Sequence, residues 1–384
     1  CVDFSNQFFY NNFNLNNIHH FRNVSLLQRN KDISINIHDK WRHFMNVTIK
    51  EVAKLAGVSP STVSRTCSDH PSISAQTKEK VRKAMQQLGY EPNNSNLSVQ
   101  NTKTIGIILP ASQSDTYENS FYLETMRGIS LFCNQKHYAS TLITGSTHEE
   151  LLNAIKHMSK ENRLDGVILL YSHKEDPIID FLYEEGILFV LVGKAEKYTN
   201  ETIYIDNDNI LAAKEATNYL LNLGHKKIGY LGSEKSRIFS SDRKSGYILA
   251  LTENNIPLRQ DYCIELASIP KEQVEELSHL LSMEDRPTAL VVSDDIFAMV
   301  LEKTAYSLHL KIPEDLSIVS FNNSLFAKLT TPQLTSIDVN SRQLGIEAAS
   351  QIINHIENPD LLATKIIVPH FMVERMSCAP YPTK

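Results

Sequence analysis

The sequence predicts an all-α helix-turn-helix headpiece followed by a larger α/β core of two lobes with parallel sheets. Two observations carry this. Residues 47–88 hold three apolar helical periods separated by capping residues. From about Thr104 onward, short apolar runs alternate with amphipathic stretches of about 10–16 residues, the pattern of strands joined by crossover helices.

In the headpiece, Thr48 is placed to cap a first helix in which Ile49, Val52, Ala53 and Ala56 share one face. Gly57 ends it. Ser59 then caps a second helix that begins at Pro60, where a missing N–H costs nothing, so this helix starts abruptly at a fixed angle to the first. It carries Ser61, Thr62, Ser64 and Arg65 around Val63, short hydroxyls and one donor fork suited to base edges and phosphates. Ser74 caps a third helix through Val81, Ala84, Met85 and Leu88, and Gly89 closes it as a left-handed residue. Between Asn46 and Lys103, eight basic residues face four acidic ones, a net charge of +4 within a chain of net charge −6. A positive module in an acidic chain suits phosphate contact. An ordinary helical hairpin with a solvated serine face has the same spacing; the third helix and the charge reversal favour nucleic acid.

A chain of 384 residues, 42% of them hydrophobic, can bury both a small module and a two-lobed core. No apolar run reaches the length of about 18 residues that suggests a membrane span. Cys1, Cys67, Cys133, Cys263 and Cys378 are scattered without a Cys-x-x-Cys pair, which fits free thiols in a reducing cytoplasm, with Cys67 as packing filler. Residues 1–44 open on Cys1, are rich in asparagine and phenylalanine, and show no apolar signal-peptide core. They are expected to be an upstream-frame extension or a disordered tail. His19 and His20 have no further ligands at a recognisable spacing, so no metal is expected.

Strands are predicted at Ile105–Leu109, Ser140–Thr144, Gly166–Leu170, Leu188–Val192, Lys227–Leu231, Ala289–Ser293 and Leu316–Phe321, with later segments at Leu334–Asp338 and Lys365–Arg375. These exceed one comfortable sheet, so the chain is expected to cross between two lobes more than once and to close them around a ligand at the carboxyl ends of the strands. The division is 45–92 for the headpiece, 93–103 for a hinge, 104–376 for the core and 377–384 for a tail.

Residues 47–92, with the Gly89-Tyr90-Glu91-Pro92-Asn93 ending and the run Val58–Arg65, resemble the DNA-binding headpiece of the lactose-repressor/galactose-repressor family. The core resembles that family too, up to about residue 376, and the resemblance implies a periplasmic-binding-protein-like architecture. It also implies that Pro60 and Ser61 choose operator bases, and that Arg65 is the base-contacting arginine. The run Ser320–Ile337 is similar to the maltose-operon repressors of low-GC Gram-positive bacteria. In the core, the resemblance implies an aromatic pair at Phe121 and Tyr122 over a sugar effector, a hydroxyl-binding arginine at Arg243, and further effector-facing positions at Asp294 and Asn322. Phe121 and Tyr122 as plain core, and Arg243 as a surface helix residue, are the alternatives; Asp206 is read as a crossover residue. The family often has aspartate where Asn322 stands, so the site loses a charge and favours a neutral saccharide.

The hinge departs from the family pattern Pro-Asn-x-x-Ala-Arg-x-Leu. Here Pro92-Asn93-Asn94-Ser95-Asn96-Leu97-Ser98-Val99-Gln100 lacks the Ala-Arg pair, and Leu97, or else Val99, is left to enter the minor groove. The reading is therefore a cytoplasmic, homodimeric, non-enzymatic regulator that contacts operator DNA through Thr48, Ser59, Pro60, Ser61, Thr62, Ser64, Arg65 and Leu97. It takes a sugar effector and needs no cofactor; docking of a phosphocarrier co-repressor is left open. The competing reading is a sugar-binding or sugar-processing protein whose helices serve for docking. Against its enzymatic form, the sequence has no Gly-x-Ser-x-Gly elbow, P-loop or metal cluster, and Asp294-Asp295 alone does not make an acid/base pair.

Overall fold

The structure is a computed structural model and describes residues 47–67, 69, 73–90, 102–111, 119–161, 163–266 and 271–382. The headpiece consists of α1 (Ile49–Ala56), α2 (Pro60–Cys67) and α3 (Ala75–Leu88). Val52 and Ala53 of α1, Val63 of α2, and Val81 and Ala84 of α3 are buried together with Ile73, so the predicted periodicity sets the small core. Gly57 has φ +68°, and Val58 N donates to Ala53 O across the turn at 3.1 Å. At the end of α3, Gly89 has φ +67° and Tyr90 N donates to Met85 O at 2.9 Å. Ser74 accepts from Thr77 N at 3.1 Å, as a cap must.

The core begins with β1 (Thr104–Ile108), α4 (Ser120–Gln135), β2 (Ala139–Ile143), α5 (His148–Lys160), β3 (Gly166–Leu169), α6 (Pro177–Glu184), β4 (Phe189–Val192) and β5 (Ile203–Asp206). The second lobe then runs through α7 (Asn209–Asn222), β6 (Ile228–Ser233), α8 (Ile238–Glu253), β7 (Cys263–Leu266), α9 (Lys271–Ser282), β8 (Ala289–Val292), α10 (Asp295–Ser307), β9 (Ser317–Phe321), α11 (Leu325–Leu329) and β10 (Thr335–Asp338). α12 (Ser341–Glu357) returns to the first lobe with β11 (Lys365–Ile367), and β12 (Phe371–Val373) closes the second.

The first sheet has the order β2-β1-β3-β4-β5-β11 and is parallel throughout. The second has the order β7-β6-β8-β9-β10-β12 and is parallel except for β12, which runs against β10. In each sheet the order reverses beside its first strand, and such switch points place a crevice at the carboxyl ends of the strands. The central strands β3, β4, β8 and β9 are buried at every residue, which explains the unbroken apolar sequences of β3, β4 and β8; in β9 the buried Ser317 and Ser320 interrupt the run. On the first lobe, α4 and α12 pack backbone to backbone through a pair of glycines. A Cβ at Gly345 would lie 2.0 Å from Thr125 O, and one at Gly128 would lie 2.1 Å from Arg342 O.

Three segments cross between the lobes, and one residue ties them together. Buried Asn207, just after β5, donates from Nδ2 to Val339 O (3.0 Å) on the second crossing and to Val368 O (2.8 Å) on the third. Asn207→Ala leaves both buried carbonyls without this donor, at about 1–3 kcal/mol for each group. A loss of about 3 kcal/mol in core stability by denaturant unfolding is expected, and an unchanged midpoint would contradict the pinning role.

Two strands went unpredicted, β5 and β7. β5 ends in the polar Asp206-Asn207-Asp208 run, which reads as a crossover, and β7 is a half-exposed edge strand. The segment Lys365–Arg375, read as one unit, is two strands of different sheets, because the third crossing falls between them at residues 368–370.

Candidate nucleic-acid interface and ligand cleft

α2 forms as its sequence dictates. Ser59 Oγ accepts from Thr62 N at 3.2 Å and lies 2.8 Å from Ser61 Oγ, so the capping hydroxyls are already engaged with each other. Of the residues expected to face DNA, Thr48 is exposed, Ser59, Ser61, Ser64 and Arg65 are half-buried, and Pro60 and Thr62 are buried. Leu97 lies outside the described residues. This differs from an open reading face, and the reason is contact with the core. Arg65 Nη1 donates to His355 O at the end of α12 (2.7 Å), and desolvation pushes its guanidinium down to about 10. Gly186, at φ +65°, admits the Pro60 carbonyl where a Cβ would lie 2.6 Å from it. Lys50 Nζ sits 5.5 Å from the Tyr183 ring and 5.6 Å from the Tyr198 ring, which stack at 3.7 Å. On α3, Lys78 and Arg82 both reach Asp69 at 2.9 Å.

In the cleft, the predicted residues of the second lobe converge. Asp294 caps α10 through Oδ1, which accepts from Ile296 N, while its Oδ2 accepts from Asn322 Nδ2 (2.8 Å) and from Asn119 Nδ2 of the first lobe (3.1 Å). An aspartate at position 322 would set two carboxylates face to face; the amide instead donates to Asp294. Arg243 is buried rather than on the surface. Its Nε donates to Asn209 Oδ1 (2.8 Å), its Nη1 donates to Ser293 O (2.7 Å), and its guanidinium lies 4.1 Å from the Phe321 ring centre. Asn209 in turn donates to Asp206 Oδ1 at 3.0 Å, so the first crossing is joined to the cleft arginine. Phe121 packs against hydrophobic clusters of both lobes and meets Tyr122 edge to face at 5.5 Å, while the Tyr122 ring belongs to the first-lobe core.

Sequence reasoning missed Asn119, whose bond to Asp294 exists only once the lobes are apposed, and Asn209, whose bond to Arg243 joins two helices 34 positions apart. Asp295, by contrast, has a structural use. Its Oδ1 accepts from Ser320 Oγ (2.5 Å) and Ser336 Oγ (2.9 Å), and its Oδ2 accepts from Ser324 N (2.7 Å), which locks β9, β10 and the α11 cap together. Among the described residues, no His/Cys/Asp/Glu group is arranged to hold a metal ion, and no helix is long and apolar enough to cross a membrane. Cys67, Cys133, Cys263 and Cys378 are free, and burial pushes each thiol up.

Burial and the adjacent Asp295 hold the Asp294 carboxyl up at about 6. A proton bound more tightly in the folded than in the unfolded state adds stability that is full below pH about 4 and is lost as pH rises through about 6. Relative to Asp294→Asn, the parent should therefore lose stability between pH 4 and pH 7 in thermal unfolding. A pH-independent difference would contradict the assignment.

A helix-turn-helix headpiece joined to a two-lobed α/β core with a polar cleft defines a DNA-binding regulator with a ligand-binding core. Residues 48–93 match the profile of bacterial regulatory proteins of the lacI family, and residues 217–378 match that of the periplasmic binding protein-like domain. The HTH-type transcriptional regulator MalR of Streptococcus pneumoniae serotype 4 is 34% identical over 336 residues, which are 86% of this chain and 100% of the relative. Among solved structures, a transcription regulator like protein from Staphylococcus haemolyticus is 31% identical with a TM-score of 0.66, over 73% of this chain and 99% of that one. The probable maltose operon transcriptional repressor MalR of Staphylococcus aureus is 26% identical with a TM-score of 0.67, over 73% and 99%. The chain belongs to the lacI family of bacterial regulatory proteins and is a DNA-binding transcriptional regulator.

Proposed function

We propose that the protein is a cytoplasmic, homodimeric, non-enzymatic repressor of a maltose, maltodextrin or related sugar-utilisation operon, and that a sugar held between the core lobes releases it from a pseudo-palindromic operator. The observation that carries this is the polar constellation of Arg243, Asp294 and Asn322 in one chain with a helix-turn-helix headpiece. A headpiece reads only a few base pairs, so useful affinity calls for two half-sites and a two-fold dimer. A neutral saccharide suits the cleft, because its hydroxyls both donate and accept while its ring faces pack on aromatic side chains such as Phe121. The name of the Staphylococcus aureus relative supports maltose as the first sugar to test.

Release follows from linkage. A sugar that binds better to the DNA-incompetent arrangement weakens operator binding by the same factor by which DNA weakens sugar binding. The contacts of Pro60 and Arg65 with the core give such an arrangement a physical form, since these residues must leave the core to enter a major groove. The reading is tested by retardation of an operator fragment at several salt concentrations, with and without maltose. Salt-sensitive, sequence-specific binding that maltose relieves supports it, whereas turnover of maltose by the pure protein favours a sugar-processing role.

A further inference from the structure

The first lobe carries a surface that takes up the reading face of α2. Pro60 and Ser64 lie one helical turn apart and both meet Gly186, just past the end of α6: a Cβ there would lie 2.6 Å from Pro60 O and 3.3 Å from Ser64 Cβ. Gly186 is buried, and its φ of +65° lets the chain turn away beneath α2 with no side chain in the gap. Beside it, Arg65 Nη1 donates to His355 O at 2.7 Å. His355 stands in the last turn of α12, where carbonyls lack intrahelical donors and carry partial negative charge. Asp165 adds a full negative charge that acts on the same guanidinium. On α1, Lys50 faces the stacked rings of Tyr183 and Tyr198 and feels the carboxylate of Asp180.

These core groups stand in for what DNA offers the same residues. Arg65 meets a carbonyl oxygen in place of a guanine's acceptor edge, and the basic headpiece meets Asp165 and Asp180 in place of phosphates. The face that packs on the core is therefore the face that must enter the groove, and the two settings exclude each other. α12 begins just after the second crossing, where Asn207 holds Val339 O, and its other end forms part of this surface. One helix thus connects the lobe crossing to the headpiece.

We propose that Gly186, Tyr183, Tyr198, Asp165 and the end of α12 form an autoinhibitory dock on the first lobe, which competes with operator DNA for α2. This deepens the release reading above by naming the surface that holds the DNA-incompetent state, and its test uses no sugar, so its failure is separable from the failure of that reading. Gly186→Asn is the first variant, because asparagine accepts a left-handed backbone while its Cβ would collide with Pro60 O. Tyr183→Leu is the second; it keeps an apolar side chain against the first-lobe core and removes one of the two rings facing Lys50.

The full chain and both variants are compared without sugar, in retardation of the operator that the parent enriches from random DNA and in amide hydrogen exchange of the DNA-free protein. A headpiece docked about three-quarters of the time loses about fourfold in apparent affinity. Each variant should therefore bind operator about threefold or more tightly than the parent, and exchange across α2 should quicken by a similar factor. Both changes in a variant that thermal unfolding shows to be folded support the dock. Parent-like operator affinity or parent-like exchange in folded Gly186→Asn overturns it, and Tyr183→Leu decides by the same criteria if Gly186→Asn does not fold. If the parent enriches no operator, the DNA reading fails and exchange alone decides the dock.

Discussion

Arg65→Ala is expected to abolish sequence-specific operator retardation while leaving the fold of headpiece and core in place. A bidentate contact to guanine O6 and N7 is worth about 1–3 kcal/mol, and a two-fold dimer uses it twice, so a loss of a hundredfold or more is the expected scale. Non-specific affinity should fall far less, because only one positive charge per protomer is removed from phosphate attraction. Arg65→Lys restores that charge but not the planar fork and should not rescue specificity. In the arrangement seen here Arg65 donates to the His355 carbonyl, so reading DNA exchanges one hydrogen-bonded setting for another. Retardation of operator and scrambled fragments at fixed salt distinguishes the effects; an unchanged operator preference in Arg65→Ala would remove the residue from the reading surface.

The second large effect falls on Arg243, where the structure separates two consequences. Arg243→Ala removes a buried guanidinium that donates to Asn209 and Ser293 and packs on Phe321, and each buried acceptor left without its donor costs about 1–3 kcal/mol. This substitution should therefore lower thermal stability as well as sugar binding. Arg243→Lys keeps the charge and the stem but loses the fork. It should fold, retain operator binding and require at least about tenfold more sugar for release, equivalent to about 1.4 kcal/mol. Release at the parental sugar concentration, in a variant shown to be folded, would confine Arg243 to a structural role.

The parts of this molecule that depend on local chemistry were legible in the sequence. Ser59, Pro60 and Gly57 fix where α2 starts and how it leaves α1, and Ser74 and Gly89 bound α3, because caps and left-handed turns act over a few residues. The buried central strands announce themselves as apolar runs. β5 does not, because its Ile-Tyr-Ile run ends in Asp206 and leads into a polar crossing, and the edge strand β7 lacks the continuous burial that makes a run conspicuous. The division of Lys365–Arg375 between two sheets is a property of the paired lobes and not of the segment.

The site shows the same division. The family resemblance points to Arg243, Asp294 and Asn322, yet the hydrogen bond from Asn119 to Asp294 links residues 175 positions apart, and Asn207 acquires its role only when three crossings meet. The contact of Arg65 with His355 spans 290 positions and has no local signature in either segment. The residues after β3 and β6 are short polar loops in the sequence; only the fold sets His173 opposite Arg237 in an antiparallel bridge.

The central claim, an operator-binding regulator released by a sugar, is tested most directly by selecting DNA from a random pool with the full chain and titrating maltose into the resulting complex at fixed salt. The account predicts enrichment of an inverted repeat, and a fall in its affinity by about tenfold or more as maltose saturates the core. Failure to enrich any sequence, or an enriched operator whose affinity is the same with and without maltose, maltotriose and glucose, would contradict it.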